Sequence, residues 1–301
     1  MKHPYKPSPW IGPGSPIVAM HQSSWNLAKL YTPTTTLGKV RTFCRNRNRR
    51  CKDEEKLKCS TWTAGYYDQT EGQRSLVSVA HGLDDLIETR DIVFLTEVAK
   101  EDQISNGFYP ETRIVEVGSS FSHKLDRSKA IDILKVKICD EADQSLFHNK
   151  VKAACSSVYH DVEFDFNLPP TADAVGKPVT KRGIATGETY GTIAELQRFY
   201  CRPGARSPLE DCVVVKPGLL IRPGDSGVTR GVFAGPGDSG SLVVSTSNGP
   251  GKLQAYGLVL RGMDVVVEDE KMRCVVCSKL DVNLSALTET RTQSVSHETA
   301  S

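Results

Sequence analysis

Short runs rich in β-branched and aromatic residues recur along the chain between turn-forming residues. They read LGKVRTF, STWTAGYY, RSLVSVA, DIVFLTEV, TRIVEVG, IDILKVKI, CVVVK, GSLVV, LQAYGLVL, MDVVVE and MRCVVCS. Their length and spacing predict an all-β sandwich or barrel rather than alternating βαβ units. Helical periodicity is scarce, and LDDLIE (83–88) and VNLSALT (282–288) are the short helix candidates. The proline-containing stretch DFNLPPTADAVGKP reads as a linker. It divides the chain into an irregular arm (1–35), a first β unit (36–165), a second β unit (166–288) and a disordered polar tail (289–301). Within the arm, SPIVAM is able to form a short pairing strand. Two barrels are the simplest division, and one long sandwich is the alternative.

Composition narrows the partners. The 301 residues are 39% hydrophobic and 25% charged, with a formal net charge of +2, which gives no global pull toward nucleic acid or an anionic membrane. The arginine run RNRNRR (45–50) lies beside the acids Asp53 to Glu55 and reads as a solvated hairpin loop rather than a nucleic-acid site. No run approaches the roughly eighteen apolar residues of a membrane span. The N-terminal residues lack the apolar segment of a signal peptide, so the expectation is an intracellular protein. Nine cysteines, an odd number, then suggest mostly reduced thiols. Cys274 and Cys277 have a zinc-knuckle spacing, but no second pair with a nearby histidine completes four ligands, so buried strand cysteines are the preferred reading. No metal or organic cofactor is expected.

The chemistry-bearing signal is a pentapeptide, Pro-Gly-Asp-Ser-Gly, that occurs twice, at Ser226 and Ser239. A serine on such a turn is either a nucleophile or only a turn residue. A nucleophile needs a base, a group that orients the base, and backbone N–H donors for the developing oxyanion. After Ser239 come GSLVV and AYGLVLRG, two core-type strands able to hold a turn rigidly. After Ser226 comes GVTRGVFAG, which reads as surface. Ser239 is therefore the candidate nucleophile.

The segment GPGDSGSLVV followed by AYGLVLRG resembles the nucleophile region of chymotrypsin-like serine proteases, closer to the microbial, viral and fungal branch than to the digestive enzymes. SLVSVAHGLDD places His81 at a strand end and KAIDILKVKI places Asp132 at a strand head, in the family's order. GKPVTKRGIATGETYGTI resembles the second-barrel hairpin of the branch that packs without disulfides. The alternatives for these roles are His123 for the histidine and Asp91, in RDIVFL, for the aspartate.

The resemblance implies two perpendicular six-stranded antiparallel β-barrels and a serine endopeptidase acting on a protein or polypeptide substrate. His81, Asp132 and Ser239 would form the triad, and the N–H groups of Gly237 and Ser239 the oxyanion hole. Asp238 would support the turn. Substrate would pair along Leu260, Arg261 and Gly262, with a pocket near Phe233 and Gly191, and Arg261 would favour an acidic neighbour. No Ile-Val-Gly-Gly start follows a basic cleavage site, so activation by a new N-terminus is not implied, and Ser241 stands where the digestive enzymes have glycine. The other reading from the same motifs is a catalytically inactive, protease-like peptide-binding or scaffold module.

Overall fold

A computed structural model describes residues 8–21, 59–69, 72–86, 92–99, 112–126, 131–152, 159–164, 174–194, 212–221, 228–246, 252–267 and 270–280. The run LGKVRTF, the arginine run 45–50, Asp91, Ser226, the helix candidate VNLSALT and the tail 289–301 lie outside the described residues.

The first half comprises β1 (Pro16–His21), β2 (Cys59–Thr63), β3 (Tyr66–Asp68), β4 (Ser75–Ser78), β5 (Ile92–Ala99), β6 (Thr112–Gly118), β7 (Phe121–Asp126) and β8 (Ile131–Lys137). Hydrogen bonding orders them as two four-stranded antiparallel sheets, β2-β1-β5-β6 and β3-β4-β8-β7. Only Ala64 and Gly65 separate β2 from β3, and only Ser119 and Ser120 separate β6 from β7. Each of these pairs is one strand bent from the first sheet into the second. Counted as bent strands, six form a closed ring, which is the first barrel.

A glycine marks each bend. A Cβ on Gly65 would lie 2.9 Å from the Val77 carbonyl oxygen and 2.6 Å from a Leu258 methyl, and one on Gly118 would lie 2.0 Å from the Lys137 carbonyl oxygen. The neighbouring chain comes too close for any side chain, so the strand turns its corner there. The expected single run STWTAGYY is split for this reason. The β1 strand in the arm is central to its sheet, and its residues Ile17 to Met20 are all buried.

After β9 (Lys150–Lys152) and β10 (Tyr159–Glu163), the second half comprises β11 (Pro178–Gly183), β12 (Gly187–Ala194), β13 (Cys212–Pro217), the hairpin β14 (Leu219–Ile221) and β15 (Val228–Arg230), β16 (Leu242–Ser245), β17 (Lys252–Val267) and β18 (Glu270–Ser278). The antiparallel order β16-β11-β12-β13-β18-β17 closes because β16 also pairs with β17. This is the second six-stranded barrel. The one parallel pairing between described strands joins β10 to the start of β17. The runs LQAYGLVL and MDVVVE, expected as separate strands, are one continuous strand, β17.

Two apolar clusters hold the halves. One fills the first barrel and continues to Leu242, Leu258, Leu260 and Val276 of the second half, so the two barrels share buried surface. The other fills the second barrel around Val179, Val215, Phe233, Val243 and Val275. Cys274 belongs to the first cluster and Cys277 to the second, because residues three apart on a strand face opposite sides. They do not converge on one ion. Cys139, Cys212, Cys274 and Cys277 are free thiols. No helix among the described residues is long and apolar enough to cross a membrane.

The helix candidate at LDDLIE corresponds to a 3-10 helix, Ala80–Leu86. Its tight winding starts where the Asp132 carboxylate takes the first two N–H groups, and Gly82 lies against the Trp62 ring, where a Cβ would come within 2.4 Å.

Gly65→Ala tests the corner. The obstructing atoms include backbone oxygens that cannot swing aside, so the variant is expected to lose about 1–3 kcal/mol of unfolding free energy in urea titration.

Candidate active site

The Asp132 side chain is buried to within 9% of full exclusion, beside a His81 ring that is 29% exposed. Oδ1 of Asp132 accepts the N–H groups of Ala80 (2.6 Å) and His81 (3.0 Å), and Oδ2 lies 2.5 Å from His81 Nδ1. One carboxylate therefore fixes both the backbone and the ring. With the proton on Nδ1 facing the carboxylate, Nε2 is an acceptor with no partner among the described residues. His123, the alternative histidine, lies on β7 across from Leu134 and stacks at an angle on Phe121, while the ring hydrogen-bonded to Asp132 is that of His81. Burial lowers its pKa.

Ser239 lies on the turn from Gly235 to Ser241. The N–H of Asp238 donates to Gly235 O, that of Gly240 to Val259 O and that of Ser241 to Asp238 O. The N–H groups of Gly237 and Ser239 take no partner among the described residues. Gly237 has φ +101° and Gly240 φ +86°, the left-handed region that glycine enters without strain. The Ser239 hydroxyl is half-buried and donates to Leu260 O at 3.5 Å, the outer limit of a hydrogen bond. Among the described residues no hydrogen bond joins it to His81.

Thr63, at the end of β2, ties the Ser239 turn to the strand that leads to His81. Its N–H donates to Ser239 O (3.1 Å) and its hydroxyl to Gly237 O (2.9 Å). Its own carbonyl accepts the Ser78 hydroxyl (2.7 Å), three residues before His81, and that hydroxyl accepts Trp62 Nε1–H. A Cβ on Gly240 would lie 2.2 Å from both Thr63 O and Ser78 Oγ. The Ser239 turn of the second barrel thus seats directly on β2 and on β4, which leads to His81.

Beneath the turn, Lys181 and Asp238 form an ion pair at 2.9 Å with both side chains fully buried. Lys181 Nζ also donates to Thr186 Oγ1 and Gly187 O. Asp238 accepts the N–H groups of Gly235, Ala185 and Thr186 and the Thr186 hydroxyl. A Cβ on Gly183 would lie 2.3 Å from Asp238 Oδ1. Lys181, Gly183 and Thr186 of the hairpin therefore surround one carboxylate, with Gly187 O holding the lysine. Burial alone would raise the Asp238 carboxyl, but the Lys181 ammonium, the Thr186 hydroxyl and the Gly235 N–H together hold it below the usual carboxylate range. Burial lowers the Lys181 ammonium against the pull of Asp238.

The expected substrate-contacting residues fall into two groups. Phe233 is buried in the second core cluster against Gly191, where a Cβ would come within 2.9 Å of the ring. Leu260, Arg261 and Gly262 follow the point where β16 stops pairing with β17, so from Leu260 outward β17 is paired with β18 alone among the described residues. Arg261 is across from Val276 and Gly262 is across from Val275, so they present opposite faces. Sequence reasoning overlooked Thr63 and Lys181. A lysine at an inward strand position, in register with Val179 and Gly183, was the available sign of the second.

Removing one partner of the buried pair leaves the other charge uncompensated. Lys181→Met is expected to cost about 3–5 kcal/mol, and Lys181→Met with Asp238→Asn together less than the two single losses summed, by urea titration. Because the Asp238 pKa is depressed, its contribution is complete above the unfolded value of about 4 and is lost as pH falls through the lower folded value. The stability gap between wild type and Asp238→Asn should be flat above about pH 5 and shrink below about pH 4.

No protein-family model matches the sequence, and a search of curated proteins finds no match. Among solved structures, the chain is similar to a Nocardiopsis protease, at 15% identity over 76% of this chain and 91% of that one, with a TM-score of 0.42. It is similar to a chymotrypsin of Cellulomonas bogoriensis at 16% identity, over 74% and 86% of the two chains, with a TM-score of 0.38. Protease A of Thermobifida fusca gives 13% identity, 75% and 89% coverage, and a TM-score of 0.40.

Proposed function

We propose that the protein is a serine endopeptidase working through Ser239, His81 and Asp132. The observation that carries this reading is a pair of N–H groups, Gly237 and Ser239, with no partner among the described residues, on a turn where the intervening and following amides are all occupied. Unpaired donors held rigidly beside a hydroxyl are what an oxyanion requires.

In this mechanism His81 Nε2 takes the Ser239 proton as Oγ bonds to the carbonyl carbon of the scissile peptide. The carbonyl π electrons move to oxygen, which the two N–H groups hold, each contributing about 3 kcal/mol to the transition state. Collapse breaks the C–N bond, and His81 returns the proton to the leaving amine. A water then gives its proton to His81 and attacks the acyl-enzyme, releasing the acid and restoring the Ser239 hydroxyl. Asp132 orients the imidazole and offsets its positive charge while it is protonated. On this reading the Ser239 hydroxyl leaves Leu260 O for His81 Nε2 when substrate binds, since such contacts are often loose before that.

The hydroxyl's contact with Leu260 O favours a second reading, a binding module that keeps the cleft without the chemistry. A fluorophosphonate probe separates the two. The protease reading expects stoichiometric labelling, mapped by mass spectrometry to Ser239, abolished by Ser239→Ala and retained in Ser226→Ala. Peptide turnover in Ser239→Ala should fall by roughly 10⁴-fold or more with an unchanged melting curve, while Ser226→Ala stays near wild type. Labelling at Ser226, or at no serine, contradicts the reading.

A further inference from the structure

We infer that this cleft selects polypeptides with an acidic side chain on the acyl side of the scissile bond, and that Arg273 is the residue that reads the carboxylate. The inference rests on the protease reading for its direction along the peptide.

The open stretch of β17 from Leu260 offers backbone groups for one more antiparallel strand. Leu260 O lies at the Ser239 hydroxyl, so the substrate residue whose carbonyl is attacked falls opposite Leu260. Antiparallel pairing then places the residue two positions earlier opposite Gly262. Gly262 has no side chain of its own, and the Arg273 guanidinium occupies that space. A Cβ on Gly262 would lie 2.9 Å from Arg273 Nε and 3.1 Å from Nη2. Arg273 reaches there diagonally from β18, whose Val275 is the direct partner of Gly262.

The face concerned runs into the second barrel. Val275 and Phe233 belong to its core, and Gly191 abuts Phe233. The floor is thus apolar and filled. The Thr189 hydroxyl nearby is committed to Phe233 O. Lys181 is fully buried on Asp238 and cannot reach a ligand. Arg261, the arginine singled out by the sequence, is on the opposite face with Val276. Asp264, across from Arg273, has interactions of its own. Beside Asp264, this face carries the exposed Arg273, whose guanidinium is a planar array of donors that matches a carboxylate and repels lysine or arginine. A bound peptide strand would cover the pair from water and strengthen it.

The test compares matched peptides carrying Glu or Gln at each of the three acyl-side positions, scored as a rate ratio within each protein. Wild type should favour Glu by about tenfold or more two positions before the residue whose carbonyl is attacked and less at the other two, Arg273→Gln should bring the ratio close to one, and Arg273→Glu should favour a matched Lys peptide instead. Urea titration checks that the variants fold. The same Glu and Gln peptides, titrated by fluorescence anisotropy against Ser239→Ala, should show the same order of affinity. That arm reads selection without turnover, so a protein that fails to react with fluorophosphonate still reports on Arg273. Equal rates and affinities for Glu and Gln in the wild type, or a preference that survives Arg273→Gln, would overturn the inference.

Discussion

The buried contact between Lys181 and Asp238 is the constraint on which the site depends. Two unit charges with no exposure are costly to bury, and they persist only where every lone pair and proton is met. Asp238 satisfies that condition by gathering Gly235, Ala185, Thr186 and Lys181 around one carboxylate. This fixes the peptide planes of the turn. With those planes fixed, the N–H groups of Gly237 and Ser239 take no partner among the described residues. The cation is internal, donated by a strand of the same barrel.

The second dependence is between barrels. Thr63 spends its N–H, its hydroxyl and its carbonyl on the Ser239 turn and on Ser78, which leads to His81. Gly65, two residues on, lets Leu258 and the Gly240 carbonyl approach the same bend. A site divided between two barrels is therefore tied by backbone contacts at one corner, and the continuous apolar cluster beneath keeps that corner from sliding.

Strand content was legible in the sequence because the runs of β-branched residues are short and well punctuated, and GSLVV, CVVVK and IDILKVKI each became a strand. The contact between His81 and Asp132 was legible from its strand-end and strand-head settings. Corner bends were not, since STWTAGYY keeps its β character through Gly65 and only a neighbouring carbonyl reveals the bend. Lys181 was hidden for a related reason. A charged residue in a strand reads as solvent-facing until its counter-charge, 57 residues away, is brought beneath it. Arg273 was missed because the feature that gives it meaning is the absence of a side chain at Gly262 on the adjacent strand.

The most direct measurement is a crystal structure of the protein reacted with a peptidyl phosphonate. The account predicts phosphorus bonded to Ser239 Oγ, with a phosphoryl oxygen held by the N–H groups of Gly237 and Ser239. His81 Nε2 should lie within hydrogen-bond distance of the adduct, and the contact between Lys181 and Asp238 should be unmoved. An adduct on another residue, or one on Ser239 whose oxygen points away from both N–H groups, would contradict it.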